Sequence, residues 1–113
     1  FMGGLKAAVA VGSCGALRPL AEGEFVVPTR ALRAEGTSYH YLPPSEWVET
    51  DPGVSAACVA AIEGRGHPAS TVTTWTTDGL FRETAAMIEY RREQGCEVVE
   101  MECSALAALR EPK

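Results

Sequence analysis

Cys96-Glu97-Val98-Val99-Glu100-Met101-Glu102-Cys103-Ser104-Ala105-Leu106 reads as a short strand that turns into a helix. Val98-Val99 is a β-branched pair suited to a buried strand, and Ala105, Leu106, Ala108 and Leu109 follow in helical spacing. Glu100 and Glu102 therefore flank Met101 at a strand-to-helix junction. In open α/β sheets that end of the strands is where ligands bind. A carboxylate placed there needs hydrogen-bond donors if water is to be excluded from it. The vicinal hydroxyls of a ribose offer two donors for two oxygens, and a thioether packs well on the sugar's apolar face. The plainer role for Glu102 is a carboxylate favoured by the dipole at a helix N-terminus.

Working outward, Gly95 stands where a helix C-terminal cap belongs. Before it, Ala85, Met87 and Ile88 give an apolar stripe, and Arg91-Arg92-Glu93 a solvated face. Ser70 to Thr74 is β-branched and reads as a strand that enters a polar loop, Trp75 to Thr84. Pro52-Gly53 opens a helix from Val54 to Ile62. Between Thr29 and Pro52 the chain turns irregular around Glu35-Gly36-Thr37-Ser38-Tyr39-His40-Tyr41, a long loop of the kind that carries function. Phe25-Val26-Val27 is a strand stopped by Pro28. Leu5 to Val11 is an apolar run, broken only by Lys6, that reads as a central, doubly covered strand. Gly12-Ser13-Cys14-Gly15 after it allows tight turns and close approach of a ligand, and successive N–H groups there can hold an anion. The order strand, strand, helix, strand, helix, strand, helix predicts a single α/β domain over 1–113.

The 113 residues suffice for one domain with a core, and 46% hydrophobic and 22% charged residues are ordinary for a globular chain. A formal charge of −5 argues against nucleic acid or an anionic membrane as partner. No apolar run reaches the roughly 20 residues that span a bilayer. The cysteines (Cys14, Cys58, Cys96, Cys103) lack C-x-x-C spacing, and His40 and His67 lack zinc-site spacing, so no metal is expected. Free thiols in a reducing cytoplasm fit this usage. Both ends read as cut from something longer.

Four stretches together resemble the nucleoside phosphorylase and nucleosidase superfamily, the purine and uridine phosphorylases and their relatives. They are residues 11–17, residues 35–41, residues 76–84 and the Glu-Met-Glu junction, in the family's order along most of the chain. The resemblance implies a three-layer sandwich, a central mixed sheet flanked by helices, truncated at both ends. It implies cleavage of the N-glycosidic bond of a purine or pyrimidine nucleoside, with inorganic phosphate as co-substrate and no cofactor. Glu102 would be the catalytic carboxylate. Met101, Glu102 and Glu100 would meet the ribose, Gly12, Ser13 and Gly15 the phosphate, and Thr74, Leu80, Phe81 and Arg82 the base.

The departures from the family pattern count as well. Ala10 stands where phosphorylases of this family usually have an arginine, and some nucleosidase relatives without it use water. Leu80 stands where an aromatic is usual. The family's amino-terminal phosphate loop would lie before residue 1, and the later strand with its base-protonating aspartate beyond Lys113. The expectations are thus a nucleoside phosphorylase-like, oligomeric, cytoplasmic enzyme domain. A hydrolytic nucleosidase, a non-catalytic nucleoside-binding or assembly module, and a thiol-based redox or metal protein built on the four cysteines are the alternatives.

Overall fold

The computed structural model describes Gly4 and residues 6–110. Five strands form one mixed sheet: β1 (Gly15–Ala16), β2 (Phe25–Ala34), β3 (Trp47–Glu49), β4 (Ala69–Thr77) and β5 (Val98–Glu100). Their order across the sheet is β1-β5-β4-β2-β3. The three inner strands β2, β4 and β5 run parallel, and β1 and β3 close the edges antiparallel. β4 is central because it is nearly all threonine, valine and tryptophan, side chains that fit a pleated surface.

Parallel neighbours need crossovers, and two helices supply them. α1 (Pro52–Gly64) leads into β4, with the Asp51 carboxylate accepting from the Val54 N–H at 3.0 Å. α2 (Ala85–Glu93) joins β4 to β5, capped by the Thr84 hydroxyl, which accepts from the Met87 N–H at 3.2 Å. Gly95 follows α2 at φ +97°, a left-handed turn that only glycine adopts freely. α3 (Cys103–Leu109) follows β5.

Alternation along the strands divides the core between two faces. Leu32, Trp75 and Val99 lie in one row across β2, β4 and β5. With Leu17 and Cys96 they form a core against which Met87 and Ile88 of α2 pack. On the opposite face Ala31 and Val48 pack with Ala107 of α3, flanked by Leu42 and Cys103. Helix, sheet and helix make three layers: the α/β class expected from the order of elements, in the sandwich that the family resemblance implies.

Two expected strands differ. The run expected as a central strand over Leu5 to Val11 forms no strand across residues 6–11 (Leu5 lies outside the described residues). Val9 is 62% and Val11 91% exposed. Apolar composition marks strand propensity, but a strand exists only where a ladder partner stands beside it, and none of the described residues offers one there. Strand pairing on that side begins at β1, whose Gly15 and Ala16 face Val99 and Val98.

Pro28 does not stop β2. The strand runs on to Ala34 through a register shift between Pro28 and Arg30. A residue without an N–H is tolerated at such a bulge. The stretch read as irregular also holds the end of β2, a 3-10 turn at residues 37–40 and β3.

Candidate functional site

The carboxyl ends of β2, β4 and β5 lie side by side, and the motif stretches converge there. Asp78, just after β4, accepts the Gly36 N–H at 2.9 Å. Glu35, just after β2, accepts the Ser38 N–H at 2.9 Å and the Ser104 hydroxyl at 2.7 Å. The loop after β2 is thus tied both to the loop after β4 and to the first turn of α3.

Glu100 ends β5, and its carboxylate is saturated from within. One oxygen accepts from the Thr74 hydroxyl at 3.0 Å and the Thr76 hydroxyl at 2.6 Å. The other accepts from the Glu102 N–H at 2.8 Å and the Cys103 N–H at 2.7 Å. These are backbone donors that a helix N-terminus leaves unpaired. Thr76 Oγ1 in turn accepts the Ser104 N–H at 3.0 Å. Two threonines of β4 and one carboxylate of β5 therefore fix how α3 begins.

Glu102 stands at the N-cap position of α3, yet its side chain caps nothing. That side chain is exposed and has no partner among the described residues. It opens on a cavity of about 360 Å³ lined by Ser13, Cys14, Gly15, Thr77, Leu80, Glu83, Val99, Glu100, Met101 and Glu102. The cavity gathers the junction, the glycine turn and the loop after β4 in one place. Ser13 and Gly15 lie in its wall, while Gly12, one residue before them, does not.

Gly15 has a packing reason to be glycine, since a Cβ there would stand 3.0 Å from Val99 Cγ1. Leu80 lines the cavity but Phe81, 93% exposed, and Arg82 do not. Thr74 departs from its expected place at the base. It is wholly buried with its hydroxyl on Glu100, beneath the junction and out of a ligand's reach.

Glu83 and Thr77 were not singled out by the sequence. Glu83 is half-buried in the cavity wall, and its side chain has no hydrogen-bond partner among the described residues. Its position next to Arg82 in a loop gave no signal, because a charged loop residue is usually just solvated.

Three glutamates line the cavity and, among the described residues, no arginine or lysine does. Arg30 and Arg33, two arginines that could compensate for the guanidinium missing at Ala10, are engaged elsewhere. Arg33 is 4% exposed and donates to the Ser38 hydroxyl at 2.9 Å, the Pro43 carbonyl at 2.9 Å and the Ser45 hydroxyl at 2.6 Å. Its guanidinium also lies 4.2 Å over the Tyr39 ring. Arg30 stacks 3.8 Å over Trp47.

The four cysteines are free. Burial, with the Glu100 carboxylate adding to it, pushes the Cys103 thiol up to about 12. Burial pushes Cys96 to about 11, and partial burial followed by Glu100 raises Cys14. Thiols raised in this way hold their protons at neutral pH and are poor nucleophiles. Among the described residues no group of three His, Cys, Asp or Glu side chains is placed to hold a metal ion.

The phosphorylase superfamily model matches residues 2–109. The chain belongs to the phosphorylase superfamily. Solved structures similar to this chain include AMP nucleosidase from Bacteroides thetaiotaomicron, 31% identical, with a TM-score of 0.76 over 85% of this chain. Uridine phosphorylase from Vibrio fischeri (24% identity, 88% of this chain) and the P. knowlesi homologue of P. falciparum PNP (20%, 86%) superpose with the same TM-score of 0.76. These last two show the shared fold alone. The chain spans 42–43% of the length of these three relatives. A comparison with curated protein sequences gives no match.

Proposed function

We propose that this superfamily domain holds the ribose of a nucleoside and cleaves its N-glycosidic bond, with Glu102 as the catalytic carboxylate. The observation that carries the reading is a free carboxylate beside Met101 in a ligand-sized cavity, on a backbone fixed by Glu100. A carboxylate without internal partners accepts the two ribose hydroxyls at little desolvation cost, and Met101, 43% exposed, offers its thioether to the sugar. As the bond to the base lengthens, positive charge grows on the ribose ring. A fixed carboxylate then stabilises the transition state more than the ground state. In this reading Glu100 takes part by holding the backbone, and Leu80, in the cavity wall, meets the base.

Phosphorolysis rests on Ser13 and the turn before Gly15, with phosphate attacking C1′ from that side. The charge of the cavity favours a second reading, hydrolysis. A phosphate dianion among carboxylates needs a cation, which would have to come from outside the cavity's own lining. Water needs none. The likeness to a nucleosidase points the same way.

Base release from inosine and uridine, with and without phosphate, separates the two. Release that requires phosphate supports phosphorolysis, and equal release in its absence supports hydrolysis. Nucleoside binding by calorimetry with no release under either condition would make the chain a binding module. Loss of neither binding nor release in Glu102→Ala would sink the assignment.

We also take the working compartment to be the cytoplasm, which suits a soluble metabolite as substrate and free thiols. The working form in this reading is a homo-oligomer.

A further inference from the structure

The ribose assignment leaves Glu35 unexplained, although its environment is unusual. It is 6% exposed and belongs to a loop that contributes nothing to the cavity wall. Most carboxylates avoid such burial unless their oxygens are fully used. Here one oxygen accepts the Ser104 hydroxyl at 2.7 Å, and the other accepts the Ser38 N–H at 2.9 Å. Ser104 and Ser38 are themselves completely buried. Ser38 receives the Arg33 Nε–H at 2.9 Å, and the Ser104 N–H reaches Thr76 Oγ1 at 3.0 Å. Thr76 donates to Glu100, and Glu100 accepts the N–H of Glu102. An unbroken chain of hydrogen bonds thus runs from Arg33 through Glu35 to the backbone of the residue assigned to the sugar.

We infer that Glu35 is a positioning residue for Glu102, anchoring the first turn of α3 so that the free carboxylate meets the ribose diol in one orientation. The inference rests on the ribose reading and adds to it a residue that never touches substrate. A carboxylate that rotates or shifts with its helix still binds the sugar, but it no longer grades one hydroxyl against two. Recognition of the diol, more than affinity as such, is what this anchor supplies. A site built to accept a substrate hydroxyl discriminates strongly against the analogue that lacks it. Discrimination is therefore the sensitive readout.

The test compares dissociation constants of inosine and uridine with those of their 2′-deoxy counterparts, by calorimetry on the wild type and four variants. The ratio of the two constants does not depend on the fraction of protein that is folded, so a merely structural role leaves it unmoved. Glu35→Ala and Ser104→Ala are expected to shrink the preference for the ribonucleoside about tenfold. Glu35→Gln, which keeps an acceptor for the Ser38 N–H and a polar group against Ser104, is expected to retain most of it. Glu102→Ala should abolish it.

Should Glu35→Ala fail to fold, Ser104→Ala carries the test, because it removes only the link to the helix. A wild-type ratio in Ser104→Ala or Glu35→Ala, beside a collapsed ratio in Glu102→Ala, overturns the positioning role and leaves the ribose reading standing. A wild-type ratio in Glu102→Ala overturns the ribose reading itself.

Discussion

Glu100 gives both of its oxygens to donors inside the protein, whereas Glu102 gives neither, and the two should part company in mutants. Glu100→Ala strips four hydrogen bonds, two of them from the N–H groups at the start of α3. We expect it to lower stability by about 2–4 kcal/mol, the sum expected for a lost helix cap plus buried hydroxyls left unpaired. Glu102→Ala should stay within about 0.5 kcal/mol of wild type, as exposed side chains without partners do. Urea denaturation measures both, and a Glu102→Ala variant as damaged as Glu100→Ala would assign Glu102 a structural role.

Glu35 supplies the pH dependence. Burial raises its pKa, but hydrogen bonds from Ser38, Ser104 and Thr37 outweigh that and leave it below the ordinary 4.5. A carboxyl depressed in the folded state stabilises above its unfolded pKa, and that contribution is lost as pH falls through the folded value. The urea midpoint of the wild type should therefore drop more steeply than that of Glu35→Gln between about pH 5 and about pH 3. Parallel curves would contradict the assignment. The two junction glutamates were visible in the sequence as a pair. Which of them was spent internally was not, because the answer lay with Thr74 and Thr76, 26 and 24 residues away.

At the level of elements, periodicity located α1, α2, α3, β4 and β5, since each carries its own caps, branched side chains or apolar stripe. It misjudged segments whose state depends on a neighbour. Residues 6–11 have the composition of a strand without a partner, and Pro28 looks like a stop until the bulge beside it is seen. The glycine turn shows the same dependence. A methyl group on Gly12 would meet nothing within 4 Å, whereas one on Gly15 would stand 3.0 Å from Val99 in the core.

Gly12→Ala should therefore be nearly silent in stability. Gly15→Ala should push β1 from β5, destabilise by about 1–2 kcal/mol as overpacking does, and displace Ser13 from the cavity. Thermal melts and nucleoside titrations of the two variants check this. If Gly15→Ala binds and melts like wild type, the β1–β5 contact does not set the position of the turn.

The dimensions of this chain leave apolar surface uncovered. The chain is a slab of 43 × 39 × 19 Å, with a radius of gyration of 14.3 Å against about 13 Å expected for a compact domain of its length. It exposes 7389 Å² for 12.0 kDa, some 1,400 Å² beyond the roughly 6,000 Å² that a monomer of that mass presents. The chain spans 42–43% of the length of its relatives, so this surface is open to the rest of such a fold as well as to a second copy, which would contribute roughly 800 Å² to a standard interface. The exposed apolar side chains include Leu80 at 54% and Met101 at 43% in the cavity wall and Phe81 at 93% next to Leu80 in sequence, while Val9, Val11, Phe25, Tyr39, Tyr41, Tyr90 and Leu106 are exposed outside the cavity lining. Edge pairing is a weaker route to association, because β1 and β3 are only two and three residues long.

In the homo-oligomer of the proposed reading, a second copy seated over Leu80 and Phe81 would bury them and shield the bound nucleoside from bulk water. Sedimentation equilibrium should accordingly show concentration-dependent association of the wild type. Phe81→Asp should weaken it by introducing a charge that burial would desolvate, and should leave the far-UV circular dichroism unchanged. A strictly monomeric wild type at high concentration, or association indifferent to Phe81→Asp, would place the excess surface in the service of something other than self-assembly.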